Sequence, residues 1–393
     1  MKTINSCEVC GNKILTPVLD LGLHPLCDDL IPVNDSQTCE EYHIDILFCE
    51  KCYTAHQHYQ VEKQSLFSKN YHYRARMTPS VLEGMKDLVN SCEKQFGNLD
   101  GKTVLDIGCN DGSLLNFFKE KGCNTIGVEP TGAAADSVHF TINDFFDTNA
   151  VSEILLKYKT IDIITFTNVF AHIEDLNGLI ANLNKLINKN TKIVIENHYI
   201  GAVLKTGQFD TFYHEHPRTY SYESFKYVAE KLNLNIVGVE FVTRYGGNIR
   251  VFMGNETSED VTVDETFFEG QFDQIRADVE AWKKEEKAFI EDFVKKNGKI
   301  RAKAFPGRAA IMIKLLNLNE SHISAVYEIK GSIKVNHYVP GTRIPILPEK
   351  ELYALADQTL PILNLAWHIP KEVRVNLAKN GYTGHVYDIK SFK

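Results

Sequence analysis

What the chain lacks narrows it first. No run of 18 apolar residues occurs in its 393 residues, so no membrane-spanning helix is expected. The opening "MKTINSCEVC" has no apolar signal region, and a reducing cytoplasm is the expected compartment. Basic residues are not in excess: 43 Lys and Arg stand against 51 Asp and Glu, a net charge of −8. Neither nucleic acid nor an anionic membrane is therefore an expected partner. Short internal repeats and low-complexity segments are missing as well. With 44% hydrophobic and 24% charged residues, the composition is that of a globular protein. The length suits two or three domains.

What is abundant is local. Of nine Cys, six fall in the first 52 residues: Cys7, Cys10, Cys27, Cys39, Cys49 and Cys52. In a reducing setting, clustered Cys bind metal more often than they pair. Cys7-x-x-Cys10 and Cys49-x-x-Cys52 form two knuckles, each presenting two thiolates from one tight turn. Together they make a tetrahedral sulfur site suited to Zn²⁺. Four thiolates leave no open position, so the expected zinc is structural. The segment between the knuckles must loop out, and Cys27 and Cys39 read as core residues.

Beyond a helical stretch from about Ser80 to Phe96, strands and helices alternate. "TVLDIG", "NTIGVE", "IDIITFTN" and "TKIVIE" read as strands of a parallel, doubly wound sheet. "NIVGVEFVTRYGGNIRVFMG" reads as two strands joined at Gly-Gly. An antiparallel hairpin closing a parallel sheet fits the class I methyltransferases. Between Val263 and Asn297, apolar residues recur at helical spacing in a charged background, which predicts one or two long helices. A second alternating pattern starts at Lys299. The expected α/β architecture is therefore a zinc-binding module (1–75), a Rossmann-like methyltransferase domain (76–258), linking helices (259–298) and a smaller Rossmann-like C-terminal domain (299–393).

"VLDIGCNDGSLL" places a Gly-bearing turn between a strand and a helix. Gly108 and Gly112 let the backbone approach a ligand there, with Asn110 between them. The turn is not G-x-G-x-x-G, and an acid, Asp106, stands near the strand's end. An acid there disfavours a pyrophosphate and suits an ammonium group, which points to S-adenosylmethionine rather than NAD. Glu129 follows 21 residues after Gly108, suited to ribose hydroxyls. Asp144 and Phe145 stand where the adenine belongs.

Three polar segments then follow the fourth and fifth strands. "TNVFAHIED" brings Asn168 and His172, "ENHYIG" brings Asn197 and His198, and "FDTFYHEHPRTY" brings Tyr213, His214, Glu215 and His216. Ligands of open α/β sheets bind at these carboxyl ends. Four His in such loops point to acid–base chemistry.

With these motifs assembled, and with "RYGGNIRV" and "PGTRIPI" further on, the chain resembles the zinc-containing C-methyltransferases of nucleotide-linked deoxysugars. The resemblance covers nearly the whole length. It implies methylation of the carbon beside the ketone of a nucleotide-linked 4-keto-6-deoxysugar. The family's Tyr-x-Glu-His falls on Tyr213, Glu215 and His216. His216 is then the base, Tyr213 and His172 act at the ketone oxygen, and Glu215 orients a neighbour or holds substrate. Substrate contacts are expected from Tyr71, Tyr73, Arg74, Asn197, His198 and Asn248, and Asn168 joins the cofactor set. "NYHYRARMTPS" and "AFPGRAAI" depart from the family pattern, and the two Arg of the former suit a diphosphate. O-methylation of a sugar or similar metabolite is the alternative, and a non-enzymatic zinc-knuckle module the third reading. A monomer or weak homo-oligomer is expected.

Overall fold

The computed structural model describes residues 1–67, 74–257, 261–268 and 270–390. Contacts divide the chain into two units, each gathered from separate stretches. One holds Met1–Pro17, Ile46–Val203 and Glu215–Glu269; the other holds Val18–Asp45, Leu204–His214 and Gly270–Lys393.

The first unit is built on a seven-stranded sheet. Its strands are β1 (Thr103–Ile107), β2 (Asn124–Val128), β3 (Phe140–Ile142), β4 (Ile163–Thr167), β5 (Lys192–His198), β6 (Asn235–Val242) and β7 (Asn248–Gly254). Their order is β6-β7-β5-β4-β1-β2-β3. Neighbours among β1–β5 run parallel, and β7 lies antiparallel between β5 and β6. The middle strands are buried along most of their length, as helix-covered parallel strands must be. The helix Pro79–Phe96 starts with Pro in its first turn, where no N–H is needed. It buries Val81, Met85, Leu88, Val89 and Cys92, one stripe at helical spacing, against the sheet's core. The expected hairpin is present, with a short 3-10 turn (Arg244–Gly246) before Gly247. Gly247 has φ +127°, and a Cβ there would lie 2.4 Å from the Ala202 side chain, so glycine is required twice over.

The metal-binding region joins this unit through strand pairing. The end of the strand Glu41–Cys49 pairs with Thr54–Gln57 around the second knuckle. Arg218–Thr219 adds to the far side of Thr54–Gln57, with Arg218 opposite His56.

The second unit is built on a five-stranded parallel sheet: β8 (Ile300–Lys303), β9 (Ile323–Glu328), β10 (Ile346–Pro348), β11 (Ile362–Asn364) and β12 (Val386–Asp388). The order is β10-β9-β8-β11-β12, so the winding reverses between β8 and β11. The charged, periodic segment before it forms a single helix, Gln271–Asn297, which buries Phe272, Ile275, Val279 and Ile290.

Candidate active site and metal centre

The sulfur atoms of Cys7, Cys10, Cys49 and Cys52 lie within 4.8 Å of one another. Cys7 and Cys52 are 3.4 Å apart at sulfur, Cys10 and Cys49 3.6 Å. A tetrahedral zinc with Zn–S near 2.3 Å needs about 3.8 Å between sulfurs, so the donor set fits the ion. Each knuckle ends on a left-handed residue, Gly11 (φ +74°) and Tyr53 (φ +53°). Glycine takes that conformation freely. Tyr53 is held in it by its ring contacts with Phe48 and Phe268. The Cys10 amide donates to Cys7 Sγ and the Asn12 side chain to Cys49 Sγ, outer contacts that suit thiolates.

The same module grips the chain just after His216. The Gln57 amide donates to the Pro217 carbonyl (2.9 Å). The Ser221 and Ser224 hydroxyls donate to the Cys52 carbonyl at 2.8 and 3.0 Å. Arg218, fully buried, donates to Glu8 beside the first knuckle and to the carbonyls of Ile173 and Glu174. Its Nε meets the Tyr220 hydroxyl at 2.9 Å. One guanidinium thus ties the zinc module to the loop after β4 and to the stretch that carries His216. Sequence reading assigned Arg218 no role; a lone Arg in a loop carries no signal of burial.

In the loop after β1, Gly108 (φ +75°) and Gly112 (φ +77°) are left-handed. A Cβ on Gly108 would strike Val169 at 2.4 Å, and one on Gly112 would strike Ser137 at 2.7 Å. These glycines are thus demanded by the protein's own packing. Glu129 is buried and accepts from the amides of Asn110 (3.0 Å) and Thr131 (2.9 Å), one on each oxygen. Asp106 is buried and accepts from the Thr165 hydroxyl at 2.7 Å. Burial lifts its carboxyl to about 7, and the Thr165 hydrogen bond opposes this. Asp144 accepts from the adjacent Phe145 amide, and the Phe145 ring lies 4.4 Å from Lys63 Nζ. The backbone amides of Ala75 and Arg76 donate to Asn110 and Asp111, which docks the segment before the first long helix onto the loop after β1. Arg74 and Arg76 both pair with Asp136, at 2.7 and 3.2 Å. Tyr71 and Tyr73 lie outside the described residues.

The loops after β4 and β5 bring three His rings together. His216 stands 4.8 Å from His172 and 5.2 Å from His198, centroid to centroid. His172 Nδ1 meets the Glu215 carbonyl at 2.7 Å. A carbonyl only accepts, so Nδ1 carries the proton. Burial pulls His172 down to about 4, so the neutral ring presents Nε2 as an acceptor. It is the Glu215 carbonyl that orients His172. Asn168 takes a left-handed φ of +54° and accepts from the Asn248 side chain at 2.9 Å. Glu196, fully buried beneath them, accepts from Asn248, Arg250 and Arg244. Thr167 Oγ1, Asn197 Nδ2 and Asn248 Oδ1 are buried with no partner among the described residues. Each costs about 1–3 kcal/mol unless a polar ligand meets it, so the end of the sheet suits one.

Tyr213 and His214 belong to the second unit, Glu215 and His216 to the first. His214 is buried, its Nε2 3.1 Å from the Tyr42 carbonyl and its ring edge-on to Tyr42. Burial lowers it to about 4.

Family models match three consecutive parts of the chain. A zinc binding domain covers residues 7–67, a methyltransferase domain 73–239 and a C-methyltransferase C-terminal domain 244–386. The C-methyltransferase NovU of Streptomyces niveus is 25% identical, over 95% of this chain and 92% of that protein. Among solved structures, the magnesium protoporphyrin IX methyltransferase of Synechocystis is 14% identical over 44% of this chain and 83% of its own (TM-score 0.33). A SAM dependent methyltransferase of Archaeoglobus fulgidus is 20% identical over 50% of this chain and 83% of its own (TM-score 0.34). The sulfur cluster and the three matched models, in this order along one chain, place it in the zinc-containing, S-adenosylmethionine-dependent C-methyltransferase family.

Proposed function

We propose that the chain methylates the carbon beside the ketone of a nucleotide-linked 4-keto-6-deoxysugar, with His216 as the base. The observation that carries this reading is the His216 ring, set between His172 and His198 at the carboxyl ends of β4 and β5. His214, the rival base, is fixed on a backbone carbonyl and lowered by burial, so it is ill suited to take a proton near neutral pH.

Bound S-adenosylmethionine supplies the electrophilic methyl group. Asp106 would hold its ammonium group and Glu129 its ribose, with Gly108, Asn110 and Gly112 shaping the loop and Asn168 its far wall. Asp144 and Phe145 would take the adenine, Phe145 with the face that Lys63 leaves. Cys7, Cys10, Cys49 and Cys52 would hold a zinc that supports the His216 stretch and stays out of the chemistry.

His216 removes the α-proton, and the electrons move onto the ketone oxygen. The expected donor role of His172 changes, because neutral His172 accepts at Nε2. Donation to that oxygen falls to Tyr213, and His172 suits a sugar hydroxyl. Asn197, His198 and Asn248 would hold the sugar, with the unpartnered Asn197 amide and Asn248 oxygen as its anchors. Arg74, with Asp136 already on it, would reach a diphosphate only by sharing its guanidinium.

The test is wash-in of deuterium at the α-carbon of a nucleotide-linked 4-keto sugar, with turnover followed in parallel. Exchange in the wild type that disappears in His216→Ala supports the reading. Full exchange in that variant overturns the base, and turnover of a keto-free sugar without exchange favours O-methylation.

A further inference from the structure

In the second unit, the winding of the parallel sheet reverses between β8 and β11. Open α/β sheets bind ligands at such a point, just beyond the carboxyl ends of the strands. Here the loops after β8 and β11 supply Arg308 and Trp367, and both close on a carboxylate of the chain itself. Asp210 Oδ2 accepts from Arg308 Nε at 2.7 Å and from Trp367 Nε1 at 2.8 Å. Arg308 also reaches the Thr211 hydroxyl at 3.0 Å, and its guanidinium lies 5.0 Å from the Trp367 ring. Lys390, just past β12, donates to the Gly207 carbonyl and stands 4.7 Å from the Phe209 ring. The other face of the grip is Trp282, 4.9 Å from Phe209. Asp210 is fully buried. The backbone then turns tightly, with the Tyr213 amide donating to the Thr211 carbonyl at 3.1 Å. Such a held charge pair is directional: the guanidinium fork engages two consecutive residues, which fixes rotation as well as distance.

We propose that Asp210 is an internal carboxylate ligand at this switch point, and that its grip by Arg308 and Trp367 positions the segment ending in Tyr213. The catalytic consequence rests on the role given to Tyr213 above; the grip itself does not. Asp210 and Arg308 are thus positioning residues. Sequence reading saw "AFPGRAAI" only as a departure from the family pattern; the structure gives its Arg a partner within "FDTFYHEHPRTY".

The chain supplies its own reporter, because its only two Trp, Trp282 and Trp367, both flank this segment. The experiment uses the full chain with Asp210→Asn and Arg308→Lys, two variants that keep side-chain size. Expected are a shift of tryptophan emission and faster hydrogen exchange in the peptide 204–214. Zinc content and S-adenosylmethionine affinity should stay unchanged. Turnover should fall about 10- to 100-fold with little change in cofactor KM, the signature of a misplaced group rather than of lost cofactor binding. The double variant should be no worse than the poorer single one. Unchanged exchange of 204–214 in both variants overturns the grip; faster exchange with unchanged turnover overturns its catalytic consequence. Tyr213→Phe separates the two readings: full turnover in that variant overturns the role of Tyr213, while emission and exchange still decide the grip.

Discussion

Asp106 illustrates how burial sets the working range of one residue. Its carboxyl rises from 3.8 to about 7 because burial disfavours the charge. The folded protein then holds that proton more tightly than the unfolded chain, so this group's contribution to stability falls as pH rises between those two values. Cofactor affinity runs the other way. In the proposed reading the cofactor's ammonium group needs this carboxylate, so S-adenosylmethionine binding should weaken as pH falls through about 7, by up to about tenfold per unit. Calorimetry from about pH 6 to about pH 8 checks this, and Asp106→Asn should bind weakly with a flat profile. At His216 the expected loss is larger: His216→Ala should lower turnover by about 10²–10⁴-fold, read as rate at saturating cofactor. Which of two nearby His carries the proton was not legible from spacing. The carbonyl on His214 and the neighbouring rings on His216 are what support the proposed choice of His216.

At the scale of elements, strands and helices followed closely from periodicity. β1, β4 and β5 are apolar runs ended by polar residues, and the hairpin announced itself by its glycines. What no period showed is the charge network under the hairpin. Glu196 on β5 is fully buried and meets Arg250 on β7 and Arg244 from the turn; Arg250 continues to Asp87 and Glu240 at 2.9 and 2.6 Å. Glu196 also holds Asn248, so one carboxylate fixes both the hairpin and a proposed substrate contact. Glu196→Gln strands buried guanidinium charge and should cost about 3–5 kcal/mol, measured by denaturant unfolding. Asp87→Asn, at the exposed end of the same network, should cost about 1 kcal/mol or less.

For the molecule as a whole, the zinc-binding module backs the stretch that follows His216. The strand Arg218–Thr219 pairs with Thr54–Gln57, directly after the second knuckle. Stripping the metal with a chelator, or Cys49→Ser, should therefore lower Tm and turnover together, since metal binding here is folding energy. Hydrogen exchange should quicken in residues 217–224 as well as in the knuckles. Loss of zinc that left those residues protected and turnover intact would remove the supporting role.

By itself the sequence determined the cysteine cluster, the element order and the glycine-bearing turn after β1. Each of these is local: a Cys-x-x-Cys turn, a strand's apolar run and a strand–glycine–helix junction carry their physics within a few residues. Only the tertiary structure decided how "FDTFYHEHPRTY" is held. Its first half belongs to one unit through Asp210 and Arg308, and its second half to the other through Arg218 and the zinc module. Residues 98 apart, such as Asp210 and Arg308, meet because folding buries both and each charge then needs the other. Nothing in the spacing of a chain encodes that pairing; desolvation creates the demand, and the fold selects the partner.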